Sequence, residues 1–174
     1  MKKLLIVVDY QIDFVNGTLG FENADKLDDK IFNKIKEYKD NNHDVIFTFD
    51  THNDNYMETN EGHYLPVKHC IKGSNGHNLY GKVSTLFDKD KDVYFEKNTF
   101  PSLKMANYLQ GKNYDEITLC GLVSNICVFS NAIMVKASLP NSKIIVDSNL
   151  TDSFDKNLQE QSFNVLKGLH IEVI

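Results

Sequence analysis

Three side chains that can act together in nucleophilic chemistry each follow an apolar, β-branched segment of the chain. Asp9 closes the segment LLIVVD, Lys97 follows DVYFE, and Cys127 lies shortly after ITLCG in GLVSNICV. If these segments are parallel strands of one sheet, their carboxyl ends meet at one edge and bring the three residues together. The thiolate is the attacking form of cysteine, a nearby cation stabilises it, and a carboxylate can accept the proton. The sequence therefore predicts Cys127 as a nucleophile beside Lys97 and Asp9.

A second group of polar residues has the composition of a metal site. Asp50 and His52 stand two residues apart in FTFDTHND, so in an extended segment their side chains point to the same side. Glu61, His63 and His69 follow further along the chain. Carboxylates and imidazoles without a thiolate suit Zn²⁺, Fe²⁺ or Mn²⁺, with water completing the shell. We therefore expect a catalytic or substrate-holding divalent metal rather than a closed structural zinc.

The elements that must position these residues alternate between short apolar segments and longer amphipathic ones, which is typical of βαβ units. The predicted strands are Lys3 to Val8, Asp44 to Phe49, Asp92 to Glu96, Glu116 to Cys120, Lys143 to Asp147 and His170 to Val173. The predicted helices are Leu27 to Lys39, Ser102 to Gln110, Asn125 to Lys136 and Asp155 to Leu166. Most of the strands are apolar on both faces, as in a buried parallel sheet. The predicted fold is α/β, a Rossmann-like three-layer αβα sandwich around a six-stranded parallel sheet.

One segment, residues 51–91, departs from this alternation because it is long, polar and rich in His, Asn and Gly. Loops of that length inside a compact domain are usually functional or disordered. No repeat, low-complexity tract or linker divides the chain. We therefore expect one domain over residues 1–174, with residues 51–91 as a long metal-binding loop.

Composition narrows the choice of partners and compartment. The 174 residues are 41% hydrophobic and 25% charged, with a net charge of -5 and no Lys/Arg cluster, which argues against a nucleic-acid partner. The apolar run at the start is short, stops at Asp9 and lacks a cleavage site, and no stretch approaches the roughly 20 residues of a membrane span. The three cysteines are widely spaced, and Cys70 and Cys120 are expected to pack in the core. These features favour a cytoplasmic protein with no membrane partner.

Five motifs, taken together, resemble those of the nicotinamidase and isochorismatase-like cysteine hydrolases. They occur in family order: VDYQIDF with Asp9, TFDTHND with Asp50 and His52, LPVKHCIKGSNGHNL with His69, FEKNTF with Lys97, and CGLVSNICV with Cys127. The resemblance implies a triad of Asp9, Lys97 and Cys127, and a metal held by Asp50, His52 and His69, with zinc preferred and iron or manganese as alternatives. It also implies a small-molecule amide as substrate and a homo-oligomer.

The activity implied by the resemblance is hydrolysis of nicotinamide to nicotinate and ammonia through a thioester. In that chemistry Asp9 accepts the thiol proton while Cys127 attacks the amide carbonyl, and Lys97 favours the ionised pair. The family's oxyanion hole is built around a non-proline cis peptide ahead of the nucleophile. Here the bond falls between Leu122 and Val123, with the amides of Val123 and Cys127 as donors.

The chain departs from the family pattern at two places. Where many nicotinamidases have a third histidine ligand, this chain offers Glu58, Glu61 and His63, of which Glu61 is preferred on position. Where family members often have a tryptophan that stacks on the pyridine ring, this chain has Leu65 before Pro66 and no tryptophan at all. The expected pocket residues are then Leu65 together with the ring-bearing Phe14 and Phe100, with Tyr64 as a further ring donor.

Three other readings of the same residues stay open. Within the enzyme class, the chain could be a related amidase or isochorismatase-like hydrolase that acts on another small amide. A flavodoxin-like binding module would also place Asp9 at the end of its first strand, but the glycine-rich phosphate loop expected there is absent. A redox-sensing thiol protein would require an exposed Cys120 as the resolving partner of Cys127.

Overall fold

The computed structural model describes all 174 residues, and its centre is one six-stranded sheet in the order β3-β2-β1-β4-β5-β6. The strands are β1 (Lys3–Val8), β2 (Asp44–Asp50), β3 (Val93–Lys97), β4 (Glu116–Leu122), β5 (Lys143–Asp152) and β6 (Glu172–Val173). Every pair of neighbouring strands is parallel. From β1 the chain adds β2 and β3 on one side, then crosses back and adds β4, β5 and β6 on the other side. The prediction of an α/β fold with a six-stranded parallel sheet is confirmed.

The helices are α1 (Ile12–Val15), α2 (Asp28–Asp40), α3 (Asn60–Tyr64), α4 (Leu103–Leu109), α5 (Phe129–Ser138) and α6 (Lys156–Gly168). Those predicted from the sequence correspond to α2, α4, α5 and α6. Ser102 and Asp155 cap α4 and α6, because their side-chain oxygens accept hydrogen bonds from the amides of Met105 and Leu158. The short helices α1 and α3 were not predicted, since four or five residues show no helical periodicity.

Alternation along the buried strands builds a core on each face of the sheet. Leu5 and Val7 of β1 pack on the face covered by α2, through Ile31 and Ile35. Residues 4, 6 and 8 of the same strand pack on the opposite face, which is covered by α4, α5 and α6. All of these β1 side chains are buried because both faces are covered. The three-layer arrangement is therefore confirmed as well.

The structure moves several of the predicted element boundaries, as in the following three elements. The segment predicted as a helix from Asn125 begins instead as one wide π-helical turn, Ser124–Val128, and regular α-helix starts only at Phe129. Strand β5 runs on beyond Asp147 to Asp152, because a register shift in its pairing with β4 carries it to the same sheet edge. Strand β6 is only two residues long, since His170 adopts a left-handed conformation with φ of 59° before it.

Residues 51–91 form an ordered cover over the carboxyl end of the sheet. They contain α3 and three short 3₁₀ turns at Tyr56–Glu58, Asn75–His77 and Val83–Leu86. The amide of His52 donates to Cys70 O at 3.0 Å, and the amide of Lys72 donates to His52 O at 2.8 Å, so the segment folds back on itself next to β2. None of the helices of the protein combines the length and the apolar character needed to cross a membrane.

Candidate active site

The structure brings Asp9, Lys97 and Cys127 together at the carboxyl edge of the sheet. Asp9 follows β1, Lys97 is the last residue of β3, and Cys127 lies in the π-helical turn after β4. Lys97 Nζ is 2.6 Å from Asp9 Oδ2 and 3.7 Å from Cys127 Sγ. The hydroxyl of Thr48 donates to Asp9 Oδ1 at 2.6 Å and so orients the carboxylate. A thiol, an ammonium group and a carboxylate therefore share one buried contact region.

Burial dominates the electrostatics of these groups. It raises the pKa of the Cys127 thiol well above its ordinary value, and the nearby Lys97 only partly offsets this effect. Burial also raises the pKa of Asp9, against the opposing influence of Lys97. For Lys97 burial acts to lower the pKa, but the charges of Asp9, Cys127 and Asp50 outweigh it and the pKa lies above its ordinary value. The resting site thus holds a thiol, a charged lysine and a carboxylate that is more basic than an exposed one.

The backbone around the nucleophile has an unusual shape. The peptide between Leu122 and Val123 is cis, as the family resemblance implied. The preceding Gly121 has φ of 105°, and a Cβ at this position would lie 1.9 Å from the carbonyl oxygen of Val8 on the neighbouring strand. Only glycine fits there. The N–H of Val123 donates to no backbone or side-chain acceptor of the protein, while its carbonyl accepts from Ile126 and Val128, each at 3.1 Å.

The second group of polar residues lies next to this contact region. One donor atom from each of Asp50, His52, Glu61 and His69 lies within 4.8 Å of the others. Asp50 Oδ2 is 3.1 Å from His52 Nε2 and 3.2 Å from His69 Nε2. Glu61 Oε1 is 3.7 Å from His52 Nε2 and 3.6 Å from His69 Nε2. Asp50 Oδ1 also lies 3.5 Å from Lys97 Nζ, which connects the two groups.

The orientation and charge of these donors fit a divalent cation. His69 Nδ1 donates to Val67 O at 2.8 Å, so its Nε2 presents a lone pair to the cluster. Burial and the nearby charge of Asp50 raise the pKa of Glu61. The backbone of Asp50 is held on both sides by the Gln11 side chain, which donates to Asp50 O at 2.9 Å and accepts from Asp50 N at 2.8 Å. Gln11 stands in the first motif, but its role required the tertiary structure.

Of the residues considered for the loop ligand, Glu61 joins the cluster and Glu58 and His63 do not. Glu61 is on α3, whose first turn is capped by Thr59 through a hydrogen bond from the Gly62 amide. His63 lies on the same short helix but two positions further on, which turns it away from the other donors. The cluster therefore contains the residue that was preferred on position, and the role of Glu61 as a ligand stays a prediction.

A cavity of about 350 Å³ opens onto Cys127 and onto Asp50, Glu61 and His69 of the second group of polar residues. The expected pocket residues Phe14, Leu65 and Phe100 all line it, whereas Tyr64 is 86% exposed and lies outside it. Its walls are mainly apolar, and they include residues that the sequence did not indicate, namely Thr18, Leu19, Gly20, Phe21, Ile126 and Phe154. No lysine or arginine is among the lining residues, while Asp50 and Glu61 are. The cavity thus suits a neutral, ring-containing ligand.

Comparisons with known proteins agree with this description. Residues 3–174 match the model of the isochorismatase domain family. The isochorismatase family protein PncA of Bacillus subtilis is 31% identical over 167 residues, with 90% of this chain and 89% of that protein covered. The crystal structure of nicotinamidase/pyrazinamidase PncA from Bacillus subtilis superposes with a TM-score of 0.87 at 28% identity, covering 99% of both chains. The pyrazinamidase of Pyrococcus horikoshii in complex with zinc has a TM-score of 0.85 at 20% identity, covering 100% of this chain and 99% of that one.

The fold and the site together define a hydrolase built on a parallel α/β sheet, with a cysteine at the carboxyl edge of that sheet. The chain belongs to the isochorismatase domain family. It is a nicotinamidase-like hydrolase, which confirms the enzyme class predicted from the motifs.

Proposed function

We propose that this protein is a cysteine-dependent amidohydrolase that converts nicotinamide to nicotinate and ammonia. The observation that carries the proposal is the contact of Cys127 Sγ with Lys97 Nζ at 3.7 Å, with Asp9 Oδ2 2.6 Å from the same nitrogen. This contact region opens into a ring-lined cavity next to an acidic and histidine-rich cluster. The similarity to a protein described as a nicotinamidase/pyrazinamidase supports the choice of an amide substrate.

In the proposed reaction, Sγ of Cys127 attacks the amide carbonyl carbon while the thiol proton passes to Asp9. The N–H groups of Val123 and Cys127 stabilise the negative charge that forms on the carbonyl oxygen. The C–N bond then breaks, Asp9 returns the proton to the departing nitrogen, and ammonia leaves a thioester on Cys127. A water molecule loses a proton to Asp9 and attacks the thioester, the C–S bond breaks, and nicotinate is released while the thiolate regains its proton.

The proposed metal ligands are Asp50, His52, Glu61 and His69. Two imidazoles and two carboxylates suit zinc, with iron and manganese as alternatives that the same donor set accepts. When bound, a divalent cation at these residues supplies a Lewis acid that can hold a ring nitrogen or a water molecule. A protein of the same fold has been crystallised in complex with zinc, which supports zinc as the first choice.

A neutral aromatic amide fits the cavity better than an anionic substrate does. The walls are mainly apolar and include no lysine or arginine that could pair with a carboxylate on the substrate. Phe14 lies with its ring centre 5.6 Å from that of His69, and together with Phe100 it offers faces on which a flat ring can pack. The second candidate substrate is a related small aromatic amide, because mainly apolar cavity walls favour a flat ring without selecting particular substituents on that ring.

The test is ammonia release from nicotinamide by the purified, zinc-supplemented protein. Wild type is expected to release ammonia, Cys127→Ala to release none, and the matched control Cys120→Ala, which alters a buried cysteine in a strand, to remain active. A chelated sample is expected to lose activity and to regain it with zinc. No release from a folded, metal-containing protein would refute nicotinamide as the substrate, and a panel of small aromatic amides would then test the second candidate.

The proposal includes the organisation of the chain as one hydrolase domain over residues 1–174, with residues 51–91 as its metal-binding loop. The match to the family model over residues 3–174 supports this organisation. We also propose self-association, which the exposed apolar residues of α6 support, since Leu158 and Val165 are both solvent-exposed. Light scattering after size exclusion tests it, because a monomer of 19.9 kDa would contradict it.

A further inference from the structure

Asn131 lies on α5, one helical turn after Cys127, and its side chain is completely buried. Its Nδ2 donates to Cys127 O at 2.8 Å and to Phe100 O at 3.1 Å. Its Oδ1 accepts from the Ser102 amide at 2.9 Å. An asparagine amide group has two donor hydrogens and one carbonyl oxygen, so both ends of the group are used. Buried polar groups that are fully hydrogen-bonded hold their partners in one arrangement.

The backbone that Asn131 contacts carries two parts of the active site. Residues 98–102 connect β3 to α4. Lys97 Nζ donates to Thr99 O at 3.1 Å, so this segment anchors the ammonium group that faces Cys127. The next side chain, Phe100, lines the cavity. A displacement of the segment would therefore move the anchor of the lysine and one wall of the cavity together.

The three bonds of Asn131 differ in whether another group can replace them. Cys127 O also accepts from the Ser130 hydroxyl at 3.3 Å, so it keeps a partner without Asn131. Phe100 O and the Ser102 amide have no other hydrogen-bond partner in the protein. Loss of Asn131 thus leaves the buried Ser102 amide and the partly buried Phe100 carbonyl without a protein partner, and its effect falls on residues 98–102 rather than on the nucleophile turn.

We propose that Asn131 is a positioning residue that locks residues 98–102 against the nucleophile turn and thereby places Lys97 and Phe100 for the reaction. It acts through these residues and does not touch the substrate itself. The kinetic test of this inference rests on the proposed function, whereas its chemical test on Cys127 does not.

Two variants separate positioning from simple packing. Asn131→Leu has a similar volume and removes all three bonds. Asn131→Asp has the same shape and can still accept from the Ser102 amide, but it places a carboxylate oxygen against two carbonyl oxygens. The control is Ser142→Ala, which removes a hydroxyl that donates to Tyr114 O at 2.7 Å just before β5, at the edge of the sheet opposite to the site. The control is expected to lower Tm without changing kcat or KM.

Steady-state kinetics on nicotinamide give the first readout. Both Asn131 variants are expected to lose about 10²-fold in kcat/KM, because a shift of about 1 Å in a positioning group has an effect of that size. Any rise in KM in these variants is expected to result from displacement of the Phe100 ring. Asn131→Leu is therefore expected to change KM by less than about twofold when Phe100→Ala is already present, since effects transmitted through one group are not additive.

Alkylation of Cys127 by iodoacetamide at fixed pH, followed by mass spectrometry, gives the second readout. The rate is expected to fall at least about fivefold in Asn131→Leu, because a displaced Lys97 stabilises the thiolate less. If wild type releases no ammonia from nicotinamide, the proposed function fails and this rate alone decides the role of Asn131. The inference is overturned if both Asn131 variants keep wild-type kinetics or, without a substrate, the wild-type alkylation rate, and differ only in Tm as the control does.

Discussion

Replacement of Lys97 by methionine tests how strongly the buried charges of the site depend on each other. Methionine keeps much of the length and apolar stem of lysine but removes the ammonium group. Lys97 Nζ lies 2.6 Å from Asp9 Oδ2, and the two side chains are 3% and 0% exposed. At that distance and an effective dielectric constant of 20, their attraction is about 6 kcal/mol. Removing one partner of such a pair is expected to destabilise the fold by about 3–5 kcal/mol, because the other charge stays buried without compensation.

The double variant Asp9→Asn/Lys97→Met gives the matched control. It removes both charges, so its free energy of unfolding is expected to return to within about 1–2 kcal/mol of wild type. Urea unfolding of wild type, both single variants and the double variant, followed by circular dichroism, completes the cycle. The double variant is expected to be folded and inactive, which separates the structural role of the pair from its catalytic one.

The pH dependence of Lys97→Met follows from the pKa of Asp9. Burial already raises this pKa in the wild type, and loss of Lys97 removes the main influence that opposes burial. An acid whose pKa is higher in the folded state binds protons more tightly there, so stability is greater at low pH and is lost as pH rises through the raised pKa. The deficit is thus expected to shrink at pH 5 relative to pH 8. A Lys97→Met protein within about 1 kcal/mol of wild type at both pH values, well below the cost of breaking a buried pair, would refute the reasoning.

Gly121→Ala is expected to prevent folding or to destabilise by several kcal/mol, about 3 or more, because a Cβ there would lie 1.9 Å from a backbone oxygen of β1. Gly111→Ala, also at positive φ but with open space around it, is the control and should cost only about 1 kcal/mol in urea unfolding. Alkylation of the folded protein by iodoacetamide should modify Cys127 alone. Its rate should keep rising above pH 9, because burial raises the pKa of the Cys127 thiol, and a plateau of the rate below that pH would contradict this. Glu61→Gln should reduce bound zinc, measured by mass spectrometry of the native protein, and abolish the rise in Tm on zinc addition, whereas Glu58→Gln should leave both unchanged.

Several features of the site followed from the sequence because they depend on local patterns. Asp9 and Lys97 stand at or next to the ends of apolar β-branched segments, and such segments form parallel strands whose carboxyl ends meet at one edge. The pairing of Asp50 with His52 follows from the two-residue repeat of extended chain. The motif order that identifies the family is likewise a property of the linear chain. The fold class and the meeting of Asp9, Lys97 and Cys127 were therefore predictable from the sequence.

Helix boundaries and the loop ligand were harder to predict, for a physical reason. Apolar periodicity describes Asn125–Lys136 equally well as one helix or as a π-helical turn followed by a helix, since a single wide turn changes the spacing of apolar residues very little. Glu58, Glu61 and His63 are all close enough in sequence to reach the proposed metal ligands Asp50, His52 and His69. The capped start of α3 at Thr59 determines which of them faces inward.

The sequence by itself determined the α/β class, the family and the residues proposed to react, because these depend on residue types and on spacing within single elements. Only the tertiary structure decided the outer wall of the cavity, where Phe21 and Phe154 meet with ring centres 6.2 Å apart. It also decided the role of Asn131, whose partners at Phe100 and Ser102 precede it by about 30 residues. Such contacts join segments that are distant along the chain, and they exist only once packing of the whole sheet and its helices has brought those segments together.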